Sequence, residues 1–223
     1  MQHLSLPDGR SLEYLVEGPS SAIPLVLHHG TPSGTVRYDA VFDAALAGGF
    51  RMVQASRPGY GTSTPHPGRR VADVAADTAA LLDALDAPTF VTVGWSGGGP
   101  HALACAALLP DRCRAAATIA GVAPYGAEGI DWLDGMGEEN IAEFGAAVAG
   151  PGPLDAFLDA AAAPMAQVRP DQIIEAFGDL IADADKRALV DGGLAEYLAD
   201  SFRAAVSVST AGWRDDDLAF VKD

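Results

Sequence analysis

With 223 residues, 49% of them hydrophobic and 20% charged, the chain has the length and composition of one globular domain with room for a sizeable insertion. Thirty acidic against 14 basic side chains give a formal net charge of −16, which argues against nucleic acid or an anionic membrane as partner, because both require a basic surface. The two cysteines, Cys105 and Cys113, fit no metal-binding spacing and read as reduced. The N-terminus lacks the basic and apolar regions of a leader, and no run approaches the roughly 20 apolar residues of a membrane span, so a soluble cytoplasmic protein is expected.

Leu4 and Leu6, then Leu12, Tyr14 and Val16, alternate with polar neighbours around the turn Pro7-Asp8-Gly9-Arg10, which predicts an antiparallel hairpin. Pro24 to His28 is a short continuous apolar run, the pattern of a strand covered on both faces, and it leads into the glycine-punctuated loop His29-Gly30-Thr31-Pro32-Ser33-Gly34. Tyr38, Val41, Phe42, Ala45 and Leu46 recur at helical spacing up to Gly48-Gly49. A strand over Phe50 to Ala55, the loop Arg57-Pro58-Gly59-Tyr60-Gly61 and a long amphipathic helix from Val71 to Leu85 follow. Then come a strand at Thr89 to Val93, a helix from Pro100 to Leu109 and an apolar strand from Arg114 to Gly121. Strands alternating with helices at this spacing predict a parallel sheet with helices on both faces.

From Val122 to about Ser209 no convincing strand is found. Short amphipathic stripes take over: Ile141, Phe144 and Val148; Leu154, Phe157, Leu158 and Ala161, closed by Pro164; Ile173, Ile174 and Phe177; and Leu194, Tyr197, Leu198, Phe202, Ala205 and Val206. As a block after a strand they predict a helical cap over the C-terminal edge of the sheet, where open α/β sheets place their ligands. The expected division is a core over 1–121, a cap over 122–210 and a return to the core over 211–223. In that last stretch Gly212-Trp213-Arg214, Asp215-Asp216-Asp217 and Leu218 to Val221 read as an interrupted element.

Between the strand at Thr89 and the helix at Pro100 stands Gly94-Trp95-Ser96-Gly97-Gly98, a G-x-S-x-G nucleophile elbow. A serine on so tight a turn is strained, and small neighbours are needed to avoid clashes. The turn pushes the hydroxyl out of the sheet and puts the Gly97 N–H at a helix start, where it can meet a developing oxyanion.

Taken with His28-His29-Gly30-Thr31-Pro32 and Arg57-Pro58-Gly59-Tyr60-Gly61, this elbow resembles the α/β-hydrolase superfamily, nearest to its small serine esterase and proline-iminopeptidase-like members. The resemblance is strong from about Leu12 to Gly121 and loose over the cap. It implies an α/β-hydrolase fold: a mostly parallel sheet with an N-terminal antiparallel hairpin and a helical cap. It also implies Ser96 as nucleophile, and an oxyanion hole from the backbone N–H groups of Gly97 and Thr31, since Pro32 has no N–H. Trp95 and His29 are assigned to the substrate pocket, His29 also tying neighbouring loops together. Arg57 and Tyr60 shape their loop, and Ser56 stands where related hydrolases carry Asp. No metal and no organic cofactor are expected.

The resemblance also implies an acid and a histidine after the nucleophile, in that order. The chain has His3, His28, His29, His66 and His101, none of them beyond the cap. His101, five residues after Ser96, should point away from the hydroxyl. Glu128, Asp131 and Asp134 could approach the site, although most members of the family take the acid from a later strand. The expected function is hydrolysis of an ester, amide or related acyl bond through an acyl-Ser96 intermediate. The chain alone should be weak or inactive, and a second chain or segment is expected to supply the missing C-terminal strands, acid and histidine. The alternative is a hydrolase-fold protein that binds a small apolar ligand with little or no turnover.

Overall fold

The computed structural model describes residues 1–177 and 181–222. Its single sheet has six strands: β1 (Gln2–Ser5), β2 (Ser11–Glu17), β3 (Pro24–His28), β4 (Arg51–Ala55), β5 (Phe90–Trp95) and β6 (Cys113–Ile119), in the spatial order β1-β2-β4-β3-β5-β6. The β1–β2 and β2–β4 pairs are antiparallel, and β4, β3, β5 and β6 run parallel. The hairpin turns where proline and glycine dictate, with the Leu6 N–H donating to Arg10 O (2.7 Å) and the Gly9 N–H to Leu6 O (3.0 Å). This is the α/β-hydrolase architecture expected from the sequence.

The crossovers are α1 (Asp39–Ala47), α2 (Val74–Ala84, preceded by a 3-10 turn at Val71–Asp73) and α3 (Gly98–Leu108). On one side, Leu81 and Leu82 of α2 and Cys105 of α3 pack with Val26, Val53 and Phe90 of the strands. On the other, Phe42 and Ala45 of α1 cover Met52. Two glycines of the elbow are required by close approach. A methyl group on Gly94 would lie 2.1 Å from the Gly98 carbonyl oxygen, and one on Gly98 would lie 2.0 Å from the His28 carbonyl oxygen. Both obstacles are backbone, so relief means moving β3, β5 or α3. Gly98→Ala is expected to cost at least the roughly 1–3 kcal/mol of an overpacked core. A urea midpoint equal to that of the unsubstituted chain would show that the helix start can shift freely.

Beyond β6 the described residues form helices only: α4 (Glu138–Ala149), α5 (Pro151–Met165), α6 (Pro170–Phe177), α7 (Asp183–Asp191), α8 (Leu194–Ala205) and α9 (Ala211–Phe220). Among them no helix is long and apolar enough to cross a membrane. Leu154 and Leu158 of α5 pack with Tyr60, Trp213 and Leu218, while Ile173, Leu189 and Leu198 join α6, α7 and α8. The stripe expected on α4 is displaced: Phe144 is buried with Ala147 and Glu143, whereas Ile141 and Val148 are exposed. The stretch expected to be an interrupted element is the continuous helix α9, whose Trp213, Asp216, Asp217 and Phe220 are all buried.

At the far side of the sheet, β6 is an uncovered edge. Residues 114–119 are exposed on both faces, with Ile119 57% accessible, and Leu103 and Leu108 of α3 are exposed as well. Parallel strands are ordinarily covered on both faces, so this edge has the composition of an interior strand and the exposure of a surface one.

Candidate active site

The chain starts its parallel sheet in the middle. From β3 it goes to β4 on one side, then returns across the sheet to β5 and β6 on the other. The strand order therefore reverses between β3 and β5, and ligands of open α/β sheets bind at the carboxyl ends of such a pair. His28 pairs with Gly94 in that ladder. The residues that leave the two strands side by side are thus His29-Gly30-Thr31 and Trp95-Ser96-Gly97.

Ser96 occupies the apex with φ 52°, a left-handed conformation that costs a β-carbon-bearing residue energy. Two backbone bonds hold it there: its N–H donates to Ile119 O (2.8 Å), and its carbonyl accepts from the Gly99 N–H (2.8 Å). The side chain is half-buried, and no hydrogen bond engages its hydroxyl among the described residues.

Gly97 is pressed against Thr31. A methyl there would lie 2.4 Å from Thr31 Oγ1 and 3.1 Å from Thr31 N. Neither the Thr31 nor the Gly97 N–H donates to any described residue. The structure therefore brings Ser96, Gly97 and Thr31 to one place with two free donors. Trp95 packs against the cluster built by α6, α7 and α8, and a methyl on Gly30 would lie 3.2 Å from its ring. It joins the elbow to these helices.

Of the two roles assigned to His29 from the sequence, pocket lining and loop tie, its contacts fit the second. It is 1% exposed and lies edge-on to Tyr60. Its Nδ1–H donates to Gly30 O (2.9 Å), and its Nε2 accepts the Arg57 N–H (3.3 Å). With both nitrogens committed to backbone, it is a loop tie. Burial, aided by the Arg57 charge, holds its pKa well below the ordinary histidine value, so the ring stays neutral.

None of the other histidines bonds the Ser96 hydroxyl, although His101 Nδ1 and His66 Nδ1 are buried without a hydrogen-bond partner among the described residues. His101 is buried and faces Asp216 (Nε2 to Oδ1 3.3 Å), with its pKa brought down to about 4 by burial and by Arg57. His28 Nε2 lies 3.6 Å from Cys105 Sγ. His3 bonds Thr62 on the surface, and His66 sits half-buried between Pro65 and Pro67. None of the five hydrogen-bonds Ser96. The acidic candidates Glu128, Asp131 and Asp134 are exposed, Asp131 accepting the Leu133 N–H (3.4 Å).

A group that sequence reasoning missed stands behind the site. Asp216 of α9 is completely buried and receives the Arg57 guanidinium (Nη2 to Oδ2 2.6 Å), Arg69 (Nη1 to Oδ1 2.6 Å), the Tyr60 hydroxyl (3.0 Å) and the Thr31 hydroxyl (2.8 Å). Burial alone would raise its pKa, but Arg57 and Arg69, with help from His101, outweigh this and hold the carboxylate well below the usual range. Arg57 also reaches His29 O (2.5 Å), Gly30 O (2.8 Å) and Thr31 Oγ1 (2.9 Å). Next to it, Asp217 is buried against Glu143 of α4, which accepts the Trp213 indole N–H (2.6 Å). Small cavities of about 20 and 10 Å³ lie on the α2 side of Arg57 and Pro58, and Ser96 lines neither.

The family model of the alpha/beta hydrolase fold matches residues 23–156. A non-heme chloroperoxidase of Streptomyces lividans is 34% identical over 151 residues, covering 67% of this chain and 55% of that protein. Epoxide hydrolase B of Mycobacterium tuberculosis is 31% identical over 141 residues, covering 60% of this chain and 39% of that protein. The chain thus spans about half the length of these relatives, or less. A solved carboxylesterase structure from Nitrososphaera gargenis superposes with a TM-score of 0.65 at 21% identity, covering 99% of this chain and 72% of that one. A family match over more than half of the chain, joined to this sheet order and this elbow, makes the chain a member of the alpha/beta hydrolase fold family.

Proposed function

We propose that the chain carries the nucleophile and oxyanion hole of a serine hydrolase that cleaves an ester, amide or related acyl bond, on a small-molecule substrate. The observation that carries this reading is Ser96, held at φ 52° at the strand-order reversal beside the unengaged N–H groups of Thr31 and Gly97. Ser96 Oγ attacks the acyl carbon and passes its proton to a base, while the two N–H groups take the charge on the carbonyl oxygen. The leaving alcohol or amine departs with a proton, and water then releases the acid from acyl-Ser96.

The base and its orienting acid come from sequence outside these 223 residues, either a continuation of the chain or a second chain. Two facts support this: none of the five histidines hydrogen-bonds Ser96, and β6 exposes both faces beside the Ser96 turn. Further parallel strands added to β6 would cover that edge and deliver their loops to the same end of the sheet.

The test is chemical rescue. Free imidazole, whose pKa lies near neutrality, can act as the missing base. A fluorophosphonate probe should label Ser96 slowly in the chain alone. Labelling should accelerate about tenfold or more with imidazole, short of the roughly 10²–10⁴-fold of a base held in position, while Ser96→Ala takes no label. Rapid labelling without imidazole would place the base within these residues. Tight binding of an apolar ligand, indifferent to Ser96→Ala and without any labelling, would favour a binding protein.

A further inference from the structure

We propose that Asp216 is a positioning residue of this site, fixing the Thr31 N–H as an oxyanion donor through Arg57 and the Thr31 hydroxyl; this rests on the reading of Ser96 as nucleophile. The argument begins with the Gly30–Thr31 peptide. Its carbonyl oxygen accepts from Arg57 Nη2 (2.8 Å) and His29 Nδ1 (2.9 Å). In a planar trans peptide the N–H points opposite to the C=O. Anchoring Gly30 O therefore aims the Thr31 N–H away from Arg57, and Thr31 N lies 3.1 Å from where a Gly97 β-carbon would stand.

The anchor is only as fixed as Arg57. Asp216 takes both its Nε (3.1 Å) and its Nη2 (2.6 Å). It is itself fixed from the other side by Arg69, which also donates to Gly212 O (3.0 Å). The Thr31 hydroxyl closes the ring, donating to Asp216 (2.8 Å) and accepting from Arg57 (2.9 Å). Asp216 touches neither Ser96 nor the substrate position. It acts by denying the Gly30–Thr31 peptide a rotation. Because α9 also packs on α4 and α5 of the cap, the donor is referenced to the cap as well as to the sheet.

The experiment measures the second-order rate of imidazole-assisted fluorophosphonate labelling. In that reaction the Oγ–P bond forms, fluoride leaves, and the serine proton passes to imidazole. Thr31→Val removes the hydroxyl and keeps the N–H. It should slow labelling about tenfold, a fraction of the 10²–10³ lost when a whole oxyanion donor is removed. Thr31→Ser should restore the rate to within about twofold. Asp216→Asn should slow labelling by a similar factor. The pair Thr31→Val with Asp216→Asn should lose little more than either alone, as coupled groups do, whereas unrelated structural damage would multiply. If Asp216→Asn fails to fold, the Thr31→Val and Thr31→Ser contrast still decides. Unchanged labelling in Thr31→Val, or multiplied losses in the pair, overturns the inference while Ser96 stands. A chain labelled no faster than Ser96→Ala with imidazole present overturns the nucleophile reading, and this inference with it.

Discussion

Asp216→Ala should unfold the chain at a markedly lower urea concentration, at a cost of about 3–5 kcal/mol, the penalty for removing one partner of a buried charge network. The carboxylate is 0% exposed and faces Arg57 and Arg69, each 3% exposed. Without it two buried guanidinium groups lose the carboxylate they hydrogen-bond: Arg69 keeps only carbonyl acceptors and the more remote charge of Asp215, and Arg57 only carbonyls and a hydroxyl. The whole stability of a domain is about 5–15 kcal/mol, so the loss is a large share. Asp216→Asn keeps one acceptor oxygen and should cost less than alanine. A carboxylate whose folded pKa is depressed contributes stability that is present above its ordinary value of 3.8 and is lost as pH falls toward the folded value. Acid sensitivity should therefore diminish in Asp216→Ala. An alanine variant with an unchanged midpoint would mean that water enters and replaces the carboxylate.

The adjacent residue should behave in the opposite sense. Glu143 has its pKa pushed up to about 7 by burial, and Asp217 is raised well above its ordinary 3.8 by burial and by Glu143. Among the described residues no N–H or hydroxyl reaches either Asp217 oxygen, so no such bond offsets the burial of this carboxyl group beside Glu143. For groups with raised folded pKa values, stability is full below the unfolded pKa and falls as pH rises through the folded one. Between the ordinary 4.5 of Glu143 and about 7, the chain should lose on the order of 3 kcal/mol, at about 1.4 kcal/mol per pH unit. Glu143→Gln keeps an acceptor for the Trp213 indole and cannot ionise. Its urea midpoint should exceed that of the unsubstituted chain at pH 8 and lose the advantage at pH 5. Parallel midpoint profiles over that range would show that the pair is hydrated and ionised in the folded chain.

These two aspartates mark where the sequence stopped being legible. The elbow was readable because its glycines answer a local demand: Gly94 and Gly98 are squeezed by backbone within a few residues or in the neighbouring strand. The strands were readable because apolar runs between turn residues have few other uses. The link from Arg57 to Asp216 spans 159 residues, and nothing local announces it. α9 looked broken because a periodicity that counts apolar residues cannot see buried aspartates. Trp213, Asp216, Asp217 and Phe220 form one helical face once Asp216 is seen to be paired with two arginines and Asp217 to be buried beside Glu143. The same blindness misplaced the α4 stripe, where Glu143 takes a buried position and Ile141 is left outside. His29 was assigned both to the pocket and to a loop tie by its place in a motif, and its two ring nitrogens are spent on the Gly30 and Arg57 backbone.

The direction of β6 limits what can usefully meet it. Two copies brought together across their β6 edges by a twofold axis would pair antiparallel, as a twofold requires. Each would then lay the amino end of its strand beside the other's Ser96 turn. Such a dimer hides the edge yet sends its loops to the wrong pole of the sheet. A strand running with β6 comes instead from a different chain or, within one chain, by a crossover of a dozen or more residues, right-handed as nearly all are, and its carboxyl end comes to rest on the serine side. Self-association and the completion proposed above are therefore separable by symmetry alone, and a light-scattering shift to dimer would not bear on the proposed base for Ser96.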